Sequence, residues 1–376
     1  MFIKRILKEQ LQSDLLNSNK VVVLYGPRQA GKTTLSKTVI ESTGLKSLMI
    51  NADQIKYIDI LSSRDLKKLQ TLVSGYELLF IDEGQRVPEI GINLKILHDE
   101  IPELKILVTG SSSFLLSDRV AEALTGRKKN YTLLPVSMQE LHIDYNEFEL
   151  NDQLSERLIY GQYPEVITTK NNKDKEDYLR EITTSYLYKD IIELENIRFP
   201  MKIRDLLRLL AFQVGAQVSI NELCNTLRLN RETVERYLFL LEQSFIIFRL
   251  PAFSRNQRNE ISKSNKYYFY DNGIRNILID NLNSIEARND IGALWENFII
   301  SERKKKLLYD QTHVKSYFWR NYAGAELDIV EETNNQLTAF EIKHKKTRLK
   351  APKAWTDNYG SDYHCITREN YLEFIL

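Results

Sequence analysis

Val21-Val22-Val23-Leu24-Tyr25-Gly26-Pro27-Arg28-Gln29-Ala30-Gly31-Lys32-Thr33-Thr34 is the stretch from which the fold is read. Its apolar run is continuous rather than alternating, which predicts a strand over 21–26 covered on both faces. Gly26 to Thr33 fits G-x-x-x-x-G-K-[ST], placed between that strand and a helix starting at Lys32. Glycines let the backbone curl so that its N–H groups point at phosphate oxygens. The following helix adds its positive end. The expected nucleotide contacts are Gly26, Pro27, Arg28, Gln29, Ala30, Gly31, Lys32, Thr33 and Thr34, with ATP and Mg²⁺ as ligands. Lys32 is expected to reach the β- and γ-phosphates and Thr33 to bind Mg²⁺.

Working outward, 1–19 reads as an amphipathic helix with Ile3, Ile6, Leu7, Leu11, Leu15 and Leu16 on one face. Further strands are expected at 45–51, 77–83 and 103–110, with helical stretches between them. Strands alternating with helices predict an α/β layer with a parallel sheet. The third strand ends in Asp82-Glu83. Asp82 is expected to help hold Mg²⁺. Glu83 is the expected general base, orienting and deprotonating a water. The fourth strand ends in Thr109-Gly110-Ser111. Either Thr109 or Ser111 can sense the γ-phosphate, and a serine-rich helix cap is the plainer alternative. Of two arginines beyond it, Arg119 and Arg127, Arg127 is favoured as a finger supplied to a neighbouring subunit. With Lys128 and Lys129 it also reads as a solvated basic turn.

Beyond residue 135 the pattern changes. Residues 136–200 read as mostly helical, with a helix over 178–196. Residues 203–250 are spaced like a helix-turn-helix: Ser219 caps a second helix, Asn230 caps a third, and 254–266 reads as a polar wing. The third helix would present Arg231, Glu232, Glu235 and Arg236 to a DNA groove. Its two glutamates oppose phosphate, whereas Arg255, Arg258, Lys263 and Lys266 in the wing favour it. Packing against protein is the alternative use. A helix around 290–308 and strands at 314–322, 325–332 and 337–345 follow. A turn within 331–335 can bring Asp328 opposite Glu341, with Lys343 on the same face. Two carboxylates and a lysine can form a second metal site, with Glu296 a further ligand. An amphipathic sheet with a charged outer side is the plainer reading. Six Lys or Arg residues lie between Lys343 and Lys353 with no acid among them, a solvated face or a track for a nucleic-acid backbone.

The whole-chain balance points to no partner class. Net charge is +1, so any basic surface must be local. With 43% hydrophobic residues the chain can bury a core. Two distant cysteines, Cys224 and Cys365, make neither a disulfide framework nor a zinc cluster. The start of the chain is too polar for a signal peptide and no run approaches a membrane span, so a cytoplasmic protein without membrane contact is expected.

Over nearly its full length the chain resembles a prokaryotic family of AAA+-type ATP-binding proteins with a C-terminal domain of unknown function. Besides the phosphate motifs, Gly126-Arg127, Pro135-Val136-Ser137-Met138-Gln139-Glu140, Gly161-Gln162-Tyr163-Pro164-Glu165, Tyr186-Leu187-Tyr188-Lys189-Asp190, Lys266 to Asp271 and Trp295-Glu296-Asn297-Phe298 carry it. The resemblance implies an Orc-like P-loop ATPase core (1–135), a helical lid (136–200), a winged helix (201–270) and an α+β domain similar to PD-(D/E)XK nucleases (271–376). A homo-oligomer, ring-forming if the chain is a motor, is expected. Three functions follow as expectations: a DNA-associated ATPase, an ATP-gated metal-dependent nuclease, and an ATP-controlled protein-assembly switch.

Overall fold

The computed structural model describes residues 3–110, 122–186, 199–254, 265–345, 350–360 and 362–376. Five parallel strands form the first sheet: β1 Val21–Tyr25, β2 Ser47–Asn51, β3 Leu78–Asp82, β4 Lys105–Gly110 and β5 Lys128–Thr132. Their order is β2-β3-β4-β1-β5. Alternate residues of β1 face opposite layers. Val21, Val23 and Tyr25 pack with Leu69 and Leu94 from the helices Leu66–Val73 and Ile90–Glu100. Val22 and Leu24 pack with Leu11 and Leu35 from α1 (Leu7–Asn17) and α2 (Lys32–Thr43). Both faces are apolar because both are covered. On α1 the inward stripe is Leu7, Leu11 and Leu15 at i, i+4, i+8. Leu16, expected inward, is 40% exposed.

The fifth strand departs from expectation. Lys128 and Lys129 lie in β5, not in a solvated turn, and Val21 to Tyr25 pair with Lys128 to Thr132. An edge strand is paired on one side only and so tolerates Lys-Lys-Asn-Tyr-Thr. Asp14 of α1 holds it by accepting from Lys129 Nζ (2.5 Å) and from the Tyr131 hydroxyl.

Short helices follow, among them Met138–Leu141, Leu154–Tyr160 and Asn172–Glu181. The helix expected over 178–196 begins instead at Asn172, where Asn171 accepts from Lys173 N, and passes into a π-helical turn at Ile182–Tyr186. Residues 187–198 lie outside the described residues. Helices Pro200–Phe212, Ile220–Leu227 and Arg231–Gln243 then stand with a small antiparallel sheet of β6 (Gln217–Val218), β7 (Ile247–Leu250) and β8 (Asn265–Phe269), ordered β6-β8-β7. Ser219 and Asn230 cap the second and third of these helices through Glu222 N and Thr233 N.

The helix Ile291–Tyr309 leads into the last sheet, β9 (Lys315–Arg320), β10 (Glu326–Thr333), β11 (Gln336–Ile342) and β12 (Tyr363–Ile366). Its order is β12-β11-β10-β9. β9, β10 and β11 are antiparallel, and β12, absent from the sequence reading, adds parallel to β11. Thr333 pairs with Gln336, leaving a two-residue turn of Asn334 (φ 50) and Asn335 (φ 65). Both φ values are positive, a conformation asparagine accepts more readily than most residues. One apolar cluster runs from Leu134 to Ile375, so the middle helices, the small sheet and the long helix Ile291–Tyr309 share a core.

Candidate nucleotide site and a carboxylate–lysine cluster

The turn after β1 holds three positive φ angles: Gly26 (148), Gln29 (60) and Gly31 (94). Gly26 has no alternative. A Cβ there would sit 2.0 Å from the carbonyl oxygen of Leu133. Gly31 is followed directly by α2 at Lys32, so the helix's free N–H groups face the same hollow. Lys32 is buried, and its ammonium donates to the carbonyls of Gly26 (2.9 Å) and Pro27 (2.8 Å). These neutral acceptors hold the charge where a phosphate oxygen can replace them. Pro27 and Ala30 are buried, Arg28 is half-buried, and Gln29 and Thr34 are exposed.

The strand order places the rest. β4 lies between β1 and β3, with Leu24 beside Thr109 and Ile81 beside Val108. Thr33 Oγ1 donates to Asp82 at 2.9 and 3.1 Å. Thr109 Oγ1 donates to Asp82 at 2.5 Å and accepts from Glu83 N at 3.1 Å. Thr33, Asp82, Glu83 and Thr109 thus meet at one end of the sheet. A hydroxyl and a carboxylate make an all-oxygen donor set, which fits a hard divalent cation. Glu83 is in the left-handed region (φ 58), and its carboxylate accepts from Gln85 Nε2 at 2.5 Å. Ser111 lies outside the described residues.

Arg127 does not join them. Its carbonyl accepts from Val21 N, at the opposite end of β1. The length of β1, about 16 Å at ~3.3 Å per residue, separates it from the phosphate turn of its own chain. Arg127 donates to Asp99 at 2.8 Å. Hydrogen bonds from Arg127 and His98 hold the Asp99 carboxyl down at about 2.

Two residues of this site escaped the sequence reading. Arg5 donates to the Ala30 carbonyl (2.7 Å), the Leu134 carbonyl (2.6 Å) and Glu140 Oε1 (2.8 Å). Burial opposes its charge, and Glu140 more than restores it. Glu140 also closes a capping box with Ser137. The Ser-Met-Gln-Glu spacing announces that box, but nothing local announces Arg5.

The C-terminal residues also meet. Continuing the pairing of Ile329 with Phe340 sets Asp328 opposite Glu341. Asp328 sits in a β-bulge, where Asp328 and Ile329 oppose one residue of β9. Its Oδ2 accepts from Ile342 N at 2.7 Å. Lys343 Nζ is 2.5 Å from Glu341 and 3.7 Å from Asp328. Glu296 accepts from the Tyr268 hydroxyl (2.6 Å) and Lys266 Nζ (3.3 Å), and Lys266 also pairs with Glu326 (2.6 Å). Burial first, and Asp328 second, push Glu296 up to about 7. The same two causes raise Glu341. Burial opposes the charge on Lys266, but Glu296, Asp328 and Glu326 raise it above the usual lysine range.

One expectation is corrected here. Lys266 is not a wing cation. It is 1% exposed, because carboxylates surround it. Arg255, Arg258 and Lys263 lie outside the described residues. Of the residues expected at a second site, Asp328, Glu341 and Lys343 lie together, and Glu296 lies with Lys266 and Tyr268. Among the described residues no group of three or more His, Cys, Asp or Glu side chains is placed to hold a metal. Lys266 and Lys343 pair with these carboxylates.

A cleft of about 910 Å³ elsewhere, between α1, β5, β7 and the long helix, is lined by Tyr131, Arg249 and Lys304 among others and does not include the phosphate turn. No described helix is long and apolar enough to cross a membrane.

A family model described as "AAA domain" matches residues 18–142. Two described as domains of unknown function match 151–285 (DUF8612) and 291–370 (DUF4143). An uncharacterized protein of Mycobacterium tuberculosis is 29% identical over 88% of this chain and 72% of its own. An uncharacterized protein of Methanocaldococcus jannaschii is 26% identical over 92% of this chain and 81% of its own. Among solved structures, the Walker-type ATPase of Pyrococcus abyssi aligns with a TM-score of 0.49, at 15% identity, over 74% of this chain and 96% of that one. With the AAA match over the very residues that build the phosphate turn and its sheet, the N-terminal part of this chain has an AAA-type P-loop ATPase fold.

Proposed function

We propose that the chain binds ATP with Mg²⁺ at the turn Gly26–Thr33 and hydrolyses it. The observation that carries this reading is the meeting of Thr33, Asp82 and Thr109 beside a buried lysine that donates to two carbonyls of the turn. Backbone N–H groups of the turn and Lys32 bind the phosphates. Thr33 and Asp82 would hold Mg²⁺, which neutralises charge on the phosphate oxygens when bound. Thr109 orients Asp82 and steadies the backbone of Glu83. Glu83 takes the proton from the attacking water. Arg127, distant from its own turn, serves a neighbouring subunit, so the active form is a homo-oligomer. Radiolabelled ATP turnover by the wild type, lost in Lys32→Ala, tests the reading. Equal turnover by both would defeat it.

We further read the ATPase as DNA-associated, a motor or switch. Three helices with a three-stranded sheet, β6-β8-β7, have the element order of a winged helix. Arg228, Arg231 and Arg236 are exposed there. Arg231 is drawn to Glu235 at 2.8 Å, so DNA must compete with an internal partner. Stimulation of turnover by duplex, junction or single-stranded DNA supports this. No change with any of the three leaves the ATPase reading and removes the DNA. No cleavage step is assigned to Asp328, Glu341 and Lys343.

A further inference from the structure

We propose that Arg5 is a positioning residue for the phosphate turn and that, with Glu140 and Tyr309, it ties that turn to the long helix and so to Glu296. The inference rests on ATP binding at Gly26–Thr33.

The connection is continuous. Arg5 holds the carbonyl of Ala30, inside the turn, and the carbonyl of Leu134, in the segment following β5. That segment also walls the turn on its other side, since Leu133 O leaves no room for a Cβ at Gly26. The long helix Ile291–Tyr309 grips the same segment three times. Tyr309 Oη accepts from Leu134 N (3.1 Å), Lys305 Nζ donates to Val136 O (3.2 Å), and Glu302 accepts from Met138 N (2.6 Å). Arg5 also hydrogen-bonds the Tyr309 side chain. Arg5, Glu140, Glu302, Lys305 and Tyr309 are all buried, so none can trade its partner for water.

The far end of the helix carries Glu296, in contact with Lys266 and Tyr268. Thirteen residues separate Glu296 from Tyr309, about 20 Å at ~1.5 Å per residue. A phosphate entering the turn takes Lys32 from the carbonyls of Gly26 and Pro27 and draws backbone N–H groups toward itself. The Ala30 carbonyl is part of that backbone, and Arg5 is fixed to it. Close-packed, fully paired groups do not absorb a shift softly, so the helix moves with the turn.

The chain supplies its own reporter. Its three tryptophans are Trp295, Trp319 and Trp355, all C-terminal to residue 142. Trp295 is buried on the long helix beside Glu296. Tryptophan emission followed during titration of the full chain with ATP and Mg²⁺ reads the far end, and calorimetry reads binding in the same samples. We expect an emission change that saturates with binding. Tyr309→Phe should keep the affinity within about threefold while losing most of the emission change, since it removes one hydroxyl outside the turn. Arg5→Lys should weaken affinity by about tenfold and also lose the change, because an ammonium cannot reproduce the guanidinium fork. Calorimetric binding without an emission change in the wild type overturns the inference, as does an unaltered change in Tyr309→Phe. Absence of calorimetric binding removes the ATP reading itself, and this inference with it.

Discussion

The phosphate turn and the C-terminal cluster both gather charged side chains at strand ends, yet they resolve their charges in opposite ways. At the turn, Lys32 faces two neutral carbonyls. Around Glu296, two lysines are shared among four carboxylates: Lys266 bridges Glu296 and Glu326, and Lys343 bridges Glu341 and Asp328. A phosphate oxygen accepts from an ammonium more strongly than a neutral carbonyl does, so Lys32 gains when an anion arrives. A network whose charges already pair with one another loses when one member is removed. The first region is built to take a ligand. The second holds itself together.

The largest test of this contrast is Glu83→Gln. It keeps the turn and its cation intact, so ATP should bind normally while turnover falls by about a thousandfold. Normal turnover would mean that the general base lies elsewhere. At the second site, Lys266→Met should destabilise the chain by about 3 kcal/mol in urea titration, because three carboxylates lose their shared counter-ion. An unchanged midpoint would show that the cluster is not self-held.

Glu296 gives a pH test at the same place. Its folded-state pKa of about 7 lies above the ordinary 4.5. The folded chain keeps that proton until near pH 7, whereas the unfolded chain releases it near 4.5. Stability from this group is therefore full below about 4.5, falls as pH rises toward 7, and is flat above, a loss of about 3 kcal/mol. Raised Glu341 acts in the same direction. Glu296→Gln should flatten the slope, and an unchanged slope would assign it to other groups. The smallest expected effect is at Asn335. Its left-handed φ of 65 suits glycine, so Asn335→Gly should leave the unfolding free energy within about 1 kcal/mol of wild type. A larger loss would show that the hairpin facing Asp328 to Glu341 depends on that side chain.

Legibility in the sequence followed the range of each interaction. β1, β3 and β4 announce themselves because a strand inside the sheet and covered on both faces is apolar through most of its length. β5 does not, because an edge strand can be Lys-Lys-Asn-Tyr-Thr and draw its support from Asp14. The opposition of Asp328 and Glu341 was readable because a short turn fixes their register. Lys266 looked like a surface cation because its partners Glu296 and Glu326 are 30 and 60 residues away. Arg5 was invisible for the same reason: Glu140 is 135 positions distant. Partners brought together only by tertiary packing leave no periodic or local mark.

Calorimetric titration of ATP with Mg²⁺ into the wild type and into Lys32→Ala tests the central claim most directly. Saturable one-to-one binding in the wild type, weakened about a hundredfold or more when the ammonium is removed, is the expected result. Equal heats in the two proteins would place the nucleotide away from Gly26–Thr33 and contradict the account.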